Sequence, residues 1–546
     1  MKNIKIKISG MTCVGCANTI ERALSVKGIE YVKVDYENMS AFISFDENII
    51  SESNIADIIN SVGHYKTESV EEIVDKSIQN IKNHLVIIGG GSAAFAAAIQ
   101  AKEFGIKTTM INGGLPIGGT CVNVGCVPSK YLIRAAETLH KANNNPFEGI
   151  VSSAEVLDFE KIIKDKEKLV LNLQKEKYID ILNQMEEFEL IEDRAQLLSK
   201  KEIKVGNRVI NATHILIATG ASAMIPDIKG LDSVDYLTNI EAFELDSLPK
   251  TMIVLGGGYI ALEIAQMFSR FGSKITLLQR SSQILSKEEK DISDELIKHF
   301  ENEGIEVVTD NNIQNIYQKD DQVEVTTQIK DKIRKYSAKK LVVATGRVPN
   351  TLGLRLDSAG VKIEQNGSVS VNEFMQTNIP NIYAAGDVIG KNMFVYTAAY
   401  EAKLAVINMF SQNKQPADFE VVPWVVFTDP QVAGVGMDEK EAKQKGIDYD
   451  VAVLPLSYVP RSIAAKDTRG FIKLIRDKEN DILVGARIVS PEGSELLMEV
   501  SMAIKFGIKV SKIRDMLHPY LTLSEGIKLA TITFDKSVKS LSCCAT

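Results

Sequence analysis

GGTCVNVGCVPSK, residues 118–130, sets two cysteines five positions apart, directly after a Gly-Gly-Thr turn and at the start of a helical stretch. A helix N-terminus lowers the pKa of a thiol, and so short a loop lets the two sulfurs close into a disulfide. Upstream, LVIIGGGSAA from Leu85 reads as an apolar strand, a glycine turn and an alanine-rich helix. Downstream, MIVLGGGYIA from Met252 repeats the device. Units of this kind build doubly wound parallel sheets, so the chain is expected to be α/β with two Rossmann-like dinucleotide-binding domains. From Pro423, WVVFTDPQVAGVG begins a mixed α+β segment that runs to the tail as an interface domain.

The cysteines carry the rest of the pattern. All six fall into close pairs, Cys13/Cys16, Cys121/Cys126 and Cys543/Cys544, with none left over. Scattered structural thiols do not distribute this way; three stations for thiol or soft-metal chemistry do. The chain has 546 residues, too many for one hydrophobic core. With 63 basic and 71 acidic residues its net charge is −8, which argues against nucleic acid or an anionic membrane as the main partner. The opening residues are not expected to act as a signal peptide, because Lys2, Lys5 and Lys7 alternate with isoleucines, and no stretch reads as a membrane span. Six thiols without an export signal suggest a reducing, cytoplasmic compartment.

Residues 1–66 read as a small ferredoxin-like β-α-β-β-α-β unit: strands at Ile4–Ile8, 29–36 and 39–45, helices at 14–26 and 52–62, and a last short strand. Residues 67–83 are polar and read as a linker. A bare CxxC is compatible with half a zinc site or a redox pair, but no second CxxC or His pair accompanies Cys13 and Cys16, and His64 is a lone candidate. GMTCVGC (10–16) within this pattern resembles the heavy-metal-associated domains, which implies capture of a soft cation and its hand-over by ligand exchange.

In the first fingerprint Gly89 permits the turn, Gly91 admits a pyrophosphate, and Ala94 lets helix and strand pack closely. Where a ribose-binding acid is expected the residue is Asn112, still able to bond a hydroxyl. Gly256, Gly258 and Ala261 repeat the arrangement, and Arg280 follows the second strand in place of an acid. A cation there suits a 2′-phosphate and so favours NADPH, the alternative being a solvated surface arginine.

The 118–130 string, the two fingerprints, ATG at 218–220, ATGRVPN at 344–350 and AAGDV at 384–388 together resemble the FAD-dependent pyridine nucleotide–disulfide oxidoreductases, over roughly residues 84–540. The resemblance implies a homodimer with active sites at the subunit interface, in which NADPH reduces FAD and FAD reduces the cysteine pair. It implies an FAD-binding domain at 84–232 and 348–417, an NADPH-binding domain at 233–347, and a dimerisation domain at 418–546 with a dithiol tail. By the family pattern Cys126 faces the flavin and Cys121 exchanges with substrate. FAD contacts are implied at Gly89, Gly91, Ala94, Asn112, Gly114, Gly119, Thr120, Lys130, Gly220, Asp387 and Val395, with Ala195 near the adenine and Lys130 paired to Glu263. Tyr178 is a candidate second tyrosine at the site, with packing as its alternative role.

The chain departs from the family at one telling place. Disulfide-reducing members carry a histidine five residues before a glutamate as acid–base partner of the exchange thiol. In HPYLTLSE (518–525) that register holds Tyr520, with His518 two positions off. A phenol with a pKa near 10 is a poor proton shuttle but an adequate neutral ligand. Adjacent Cys543 and Cys544 would make a strained disulfide, whereas on a terminus they suit a two-thiolate pincer, unless they are incidental. The expected activity is therefore reduction of a soft, two-coordinate cation: captured at Cys13/Cys16, carried by Cys543/Cys544, held at Cys121/Cys126. A metal transporter is the expected donor. Two competing readings are a thioredoxin-reductase-like disulfide reductase and a soft-metal buffer or chaperone.

Overall fold

The computed structural model describes residues 2–12, 14–36, 38–72 and 83–540. The chain forms two compact units, Met1–Lys82 and Asn83–Thr546.

In the first unit the order is β1 (Lys2–Ser9), α1 (Val14–Ala23), β2 (Ile29–Asp35), β3 (Ser40–Phe45), α2 (Glu52–Ser61) and β4 (Lys66–Glu72). The strands make one antiparallel sheet in the order β2-β3-β1-β4. The alternation of Ile4, Ile6 and Ile8 puts all three in a core with Ile20, Leu24, Ile43, Ile55 and Ile59. Helix α2 starts on a capping box in which Ser51 and Asn54 satisfy each other's backbone N–H groups. One expectation is corrected. Residues 67–72, read as linker, belong to β4, which pairs with β1 from Ile4↔Glu72 to Ser9↔Lys66. This is an edge strand that contributes backbone hydrogen bonds more than side-chain burial, so its polar composition hides it. Residues 73–82, the rest of the expected linker, lie outside the described residues.

The second unit is built on two five-stranded parallel sheets. The first runs Ile382–Ala384, His214–Ile217, His84–Ile88, Lys107–Ile111, Phe188–Ile191; the second runs Tyr236–Leu237, Lys340–Val343, Thr251–Leu255, Lys274–Leu278, Glu306–Val308. Because the first sheet draws strands from both before and after the second, one dinucleotide fold is inserted into the other. Strands buried on both faces read as unbroken apolar runs, as LVII and MIVL do. Helix α3 (Ser92–Glu103) packs into the core of the first sheet and α4 (Gly119–Val124) follows its second strand, whereas α5 (Cys126–Asn143) and α6 (Phe159–Gln174) bury Leu132, Ala136, Phe159 and Ile163 in the core of the second. Helix α7 (Tyr259–Phe271) follows the second glycine turn, and α8 (Val395–Phe410) packs against α3. Residues after 423 form a five-stranded antiparallel sheet backed by α9 (Gly493–Lys505). Helix α6 passes into a π turn at Lys175–Ile179, and the helical stretch ends at Leu182.

Glycine geometry fixes where the two key turns can go. Gly89 has φ +131°, and a Cβ there would lie 2.1 Å from the Ala218 carbonyl oxygen. Gly119, at φ +63°, would place its Cβ 2.6 Å from the Gly91 Cα, so the cysteine helix and the first fingerprint touch backbone to backbone. Gly89→Ala is expected to lower the thermal midpoint well beyond Gly105→Ala. Gly105 shares a positive φ (+65°) but has nothing within 4 Å, so it pays backbone strain alone, about 1–2 kcal/mol. Equal shifts for the two variants would refute the steric account.

Candidate active site

Each thiol opens a different element. Cys121 lies in the short α4, the chain breaks at Gly125, and Cys126 is the first residue of the 18-residue α5. Both are free thiols. The pair is electrically unequal. Cys126 is lowered to about 7, chiefly because its thiolate accepts a hydrogen bond from Cys121, with help from the nearby Lys130 charge. Cys121 is pushed up by that same bond and by burial. Thus a single proton is shared and Cys126 carries the negative charge.

One turn along α5, Lys130 Nζ donates to Glu263 Oε2 at 2.8 Å and Oε1 at 3.0 Å. Glu263 comes from α7 and also accepts the Phe427 backbone N–H at 3.0 Å, while the ammonium lies 4.4 Å from the centre of the Phe427 ring. Three regions of the chain are tied at this carboxylate. Phe427 carries no motif, so the sequence reading missed it; only its place beside the antiparallel sheet reveals it.

Both glycine turns open into one cavity of about 2190 Å³ lined by Gly91, Thr120, Cys121, Cys126, Lys130, Gly220, Gly256, Gly258, Glu263, Arg280, Asp387 and Val395. The cavity's glycines make a cradle: a Cβ at Gly258 or Gly220 would meet nothing within 4 Å, leaving room for a phosphate or ring against the backbone. Ala94 and Ala261 are fully buried, the close-packing role of the third fingerprint position. Asn112 is turned to local use, its Nδ2 donating to the Leu115 carbonyl at 2.9 Å. Gly114 has open space around it, and Ala195 is buried at the start of a short strand. Burial raises the Asp387 carboxyl, against an ion pair to Arg347 Nε at 3.4 Å. Arg280 is joined in the cavity lining by Lys287, a second cation that the sequence reading did not single out.

The tyrosines part company. Tyr178 lies in the π turn, edge-on to Phe95 at 4.6 Å; burial raises its phenol, the neighbouring thiol pair adds to this, and a hydrogen bond with Ser92 opposes it. Tyr178 therefore stands beside the thiol pair. Tyr520 is 54% exposed and does not line the cavity within a single chain. His518 is held elsewhere, its Nε2 2.7 Å from Glu499 Oε1 on α9 and its side chain 4% exposed. Glu525, the other half of the expected dyad, accepts the Leu521 N–H at 3.3 Å. In the first unit Cys16 is buried near the start of α1, where the Thr12 N–H donates to its sulfur at 3.5 Å. Cys13, Cys543 and Cys544 lie outside the described residues. Among the described residues no three His, Cys, Asp or Glu side chains gather as a metal cage. In the reduced protein, alkylation mapped to Cys126 is expected to follow a midpoint near pH 7. Lys130→Met, which removes a charge that favours the thiolate, should move that midpoint up by about one unit. A midpoint in the ordinary thiol range, unmoved by the substitution, would refute the assignment.

Comparison with known proteins agrees with this geometry. Residues 83–402 match the family described as pyridine nucleotide-disulphide oxidoreductase, residues 422–531 its dimerisation domain, and residues 5–65 the heavy-metal-associated domain. A mercuric reductase of Lysinibacillus sphaericus is 40% identical over 551 residues, covering 100% of both chains. A mercuric reductase of Staphylococcus aureus is 39% identical, covering 99% of each. Among solved structures, the Cu(II) complex of the HOCl-induced flavoprotein disulfide reductase RclA from Escherichia coli superposes with a TM-score of 0.75 at 29% identity, covering 83% of this chain and 100% of that one. LpdA from Mycobacterium tuberculosis gives 0.74 at 25% identity, with the same coverage. The chain belongs to the pyridine nucleotide–disulphide oxidoreductase family, with a heavy-metal-associated domain at its N-terminus.

Proposed function

We propose that this chain is a mercuric reductase, a flavoprotein that catalyses NADPH + Hg(II) → NADP⁺ + H⁺ + Hg(0) and so confers mercury resistance by volatilising the metal. The observation that carries the reading is a thiol pair set in the cavity of two dinucleotide folds while His518, two positions off the expected register, is committed to Glu499. The full-length likeness to curated mercuric reductases supports it.

FAD is assigned to the first fold, with Gly89, Gly91, Ala94, Asn112, Gly114, Gly119, Thr120, Lys130, Ala195, Gly220, Asp387 and Val395 as its surroundings. NADPH is assigned to the second, with Gly256, Gly258, Ala261 and Arg280. Bound there, FAD would accept two electrons from NADPH and make them available on the thiol side. The chain's own residues do the rest. The pair binds Hg(II) between its two sulfurs: Cys126 supplies a thiolate on the flavin side, and Cys121, the exchanging thiol, completes two-coordinate binding on releasing the shared proton. The Lys130–Glu263 pair holds α5 against the second fold and puts a cation beside Cys126. Tyr178 closes one side of the pair with a neutral hydroxyl, and Tyr520 is assigned to the other.

Tyr520 reaches a thiol pair only across a homodimer. The dimerisation domain supports one, and the apolar surface of Met498, Met502, Phe506 and Leu517, exposed in the single chain, is what such an interface would cover. Cys13/Cys16 would capture the ion from a transporter or a small-thiol complex, and Cys543/Cys544 would carry it inward, so that a tightly held metal passes from thiolate pair to thiolate pair without release. NADPH and reduced thiols place the enzyme in the cytoplasm. No helix among the described residues is long and apolar enough to cross a membrane.

NADPH oxidation by the purified flavoprotein is expected to respond to Hg(II) in excess small thiol and to run far slower with glutathione disulfide or oxidised thioredoxin. Faster turnover with either disulfide would favour the disulfide-reductase reading. No turnover with any of the three would favour a metal buffer. Tyr520→Phe should lower mercury turnover by about tenfold or more, as loss of a group at the reacting centre does. His518→Gln should leave it within about twofold; the reverse order would sink the assignment of Tyr520. Removal of residues 1–83 should leave turnover intact when small thiols deliver the metal, and a large fall would give the first unit a catalytic role.

A further inference from the structure

Glu401 stands in the middle of α8, 0% exposed, and the chemistry above does not use it. Its Oε2 accepts the Gly386 backbone N–H at 2.7 Å. Its Oε1 is buried with no hydrogen-bond partner among the described residues. Gly386 and Asp387 both line the dinucleotide cavity, so this carboxyl grips from behind the turn that carries Asp387. The turn itself is tightly set. Gly386 has φ +79° and is wedged between α3 and α8, where a Cβ would lie 3.3 Å from those of Ala93 and Ala398.

The charges around it decide its state. Asp387 is the neighbouring acid, and Arg347 is engaged in the ion pair with Asp387. Lys391 supplies an opposing positive charge to Glu401. Helix α3 brings alanines to this end and keeps Lys102 and Glu103 at its far end, and the adjoining strand Ile382–Ala384 is uncharged. Two carboxyls facing one largely buried turn, with a single bonded guanidinium, do not both ionise cheaply. The proton belongs on the one without the ion pair. Burial first, with Asp387 adding to it, pushes Glu401 up to about 7, against the opposing Gly386 hydrogen bond and Lys391 charge.

We propose that Glu401 is a positioning residue for flavin binding, its protonated carboxyl holding the Gly386–Asp387 turn and keeping a second negative charge out of the first dinucleotide site. The Gly386 hydrogen bond survives ionisation. What ionisation adds is a charge beside Asp387 and behind a site that takes an anionic dinucleotide. The inference rests on the assignment of FAD to the first fold. Flavin release from the full-length holoprotein, followed by the fluorescence of the freed flavin between pH 6 and 8.5, tests it. In the unsubstituted protein the dissociation constant is expected to rise by about tenfold over that range, as one linked proton requires. Glu401→Gln, which keeps an acceptor for Gly386 and cannot ionise, should hold the acid-limb affinity within about twofold throughout. Glu401→Ala should bind flavin more weakly at every pH. A Glu401→Gln protein with the original pH slope, or an unsubstituted protein with no slope, overturns the inference and leaves the reaction assignment standing. Protein that folds but takes up no flavin at any pH overturns both.

Discussion

The ion pair between Lys130 and Glu263 is the contact on which the second unit depends. It joins the helix that opens on Cys126 to the helix that follows the second glycine turn, and Phe427 closes it from the C-terminal region with a backbone hydrogen bond and a ring face. A largely buried ion pair returns its desolvation cost only when its remaining hydrogen-bonding capacity is met, and breaking one from one side costs about 3–5 kcal/mol. Here both carboxylate oxygens are engaged, so the pair fixes the relative position of the two dinucleotide folds at the place where electrons must cross. Placement matters more than stability at such a site, because small displacements of reacting groups carry large costs in rate.

The thiol pair takes its character from that placement. Lys130 helps keep Cys126 ionised, while burial and the bond to its neighbour keep Cys121 protonated. Such a pair serves a disulfide and a soft cation alike, and the surroundings must choose between them. Disulfide exchange needs a base able to move a proton at each half-reaction; the histidine that would serve is buried against Glu499. A soft cation needs thiolates and neutral neighbours, and Tyr178 is such a neighbour beside the pair. The N-terminal unit presents Cys16 near the start of its first helix, where the Thr12 N–H meets its sulfur.

Much of this was legible in the sequence, for a physical reason. Positions where only glycine fits, such as Gly89 against the Ala218 carbonyl, leave a mark in composition, and so do doubly buried strands such as LVII. Features that rest on backbone pairing or on distant partners leave none. The length of β4 was hidden because an edge strand needs no apolar face. The π turn under Tyr178 has no composition of its own. Glu401 looks like any helical glutamate until the fold folds Gly386 onto it. The His518–Glu499 pair links a loop residue to one on α9, 19 positions apart, so the sequence showed the loss of register but not where the histidine had gone.

The central claim is that the electrons leave on the metal and not on sulfur. Its most direct test is the yield of elemental mercury, trapped from the gas phase, against NADPH consumed by the purified enzyme in excess small thiol. One atom of Hg(0) for each NADPH is expected, because both electrons end on one cation. NADPH consumption with no mercury vapour, or with new thiol appearing in its place, would contradict it.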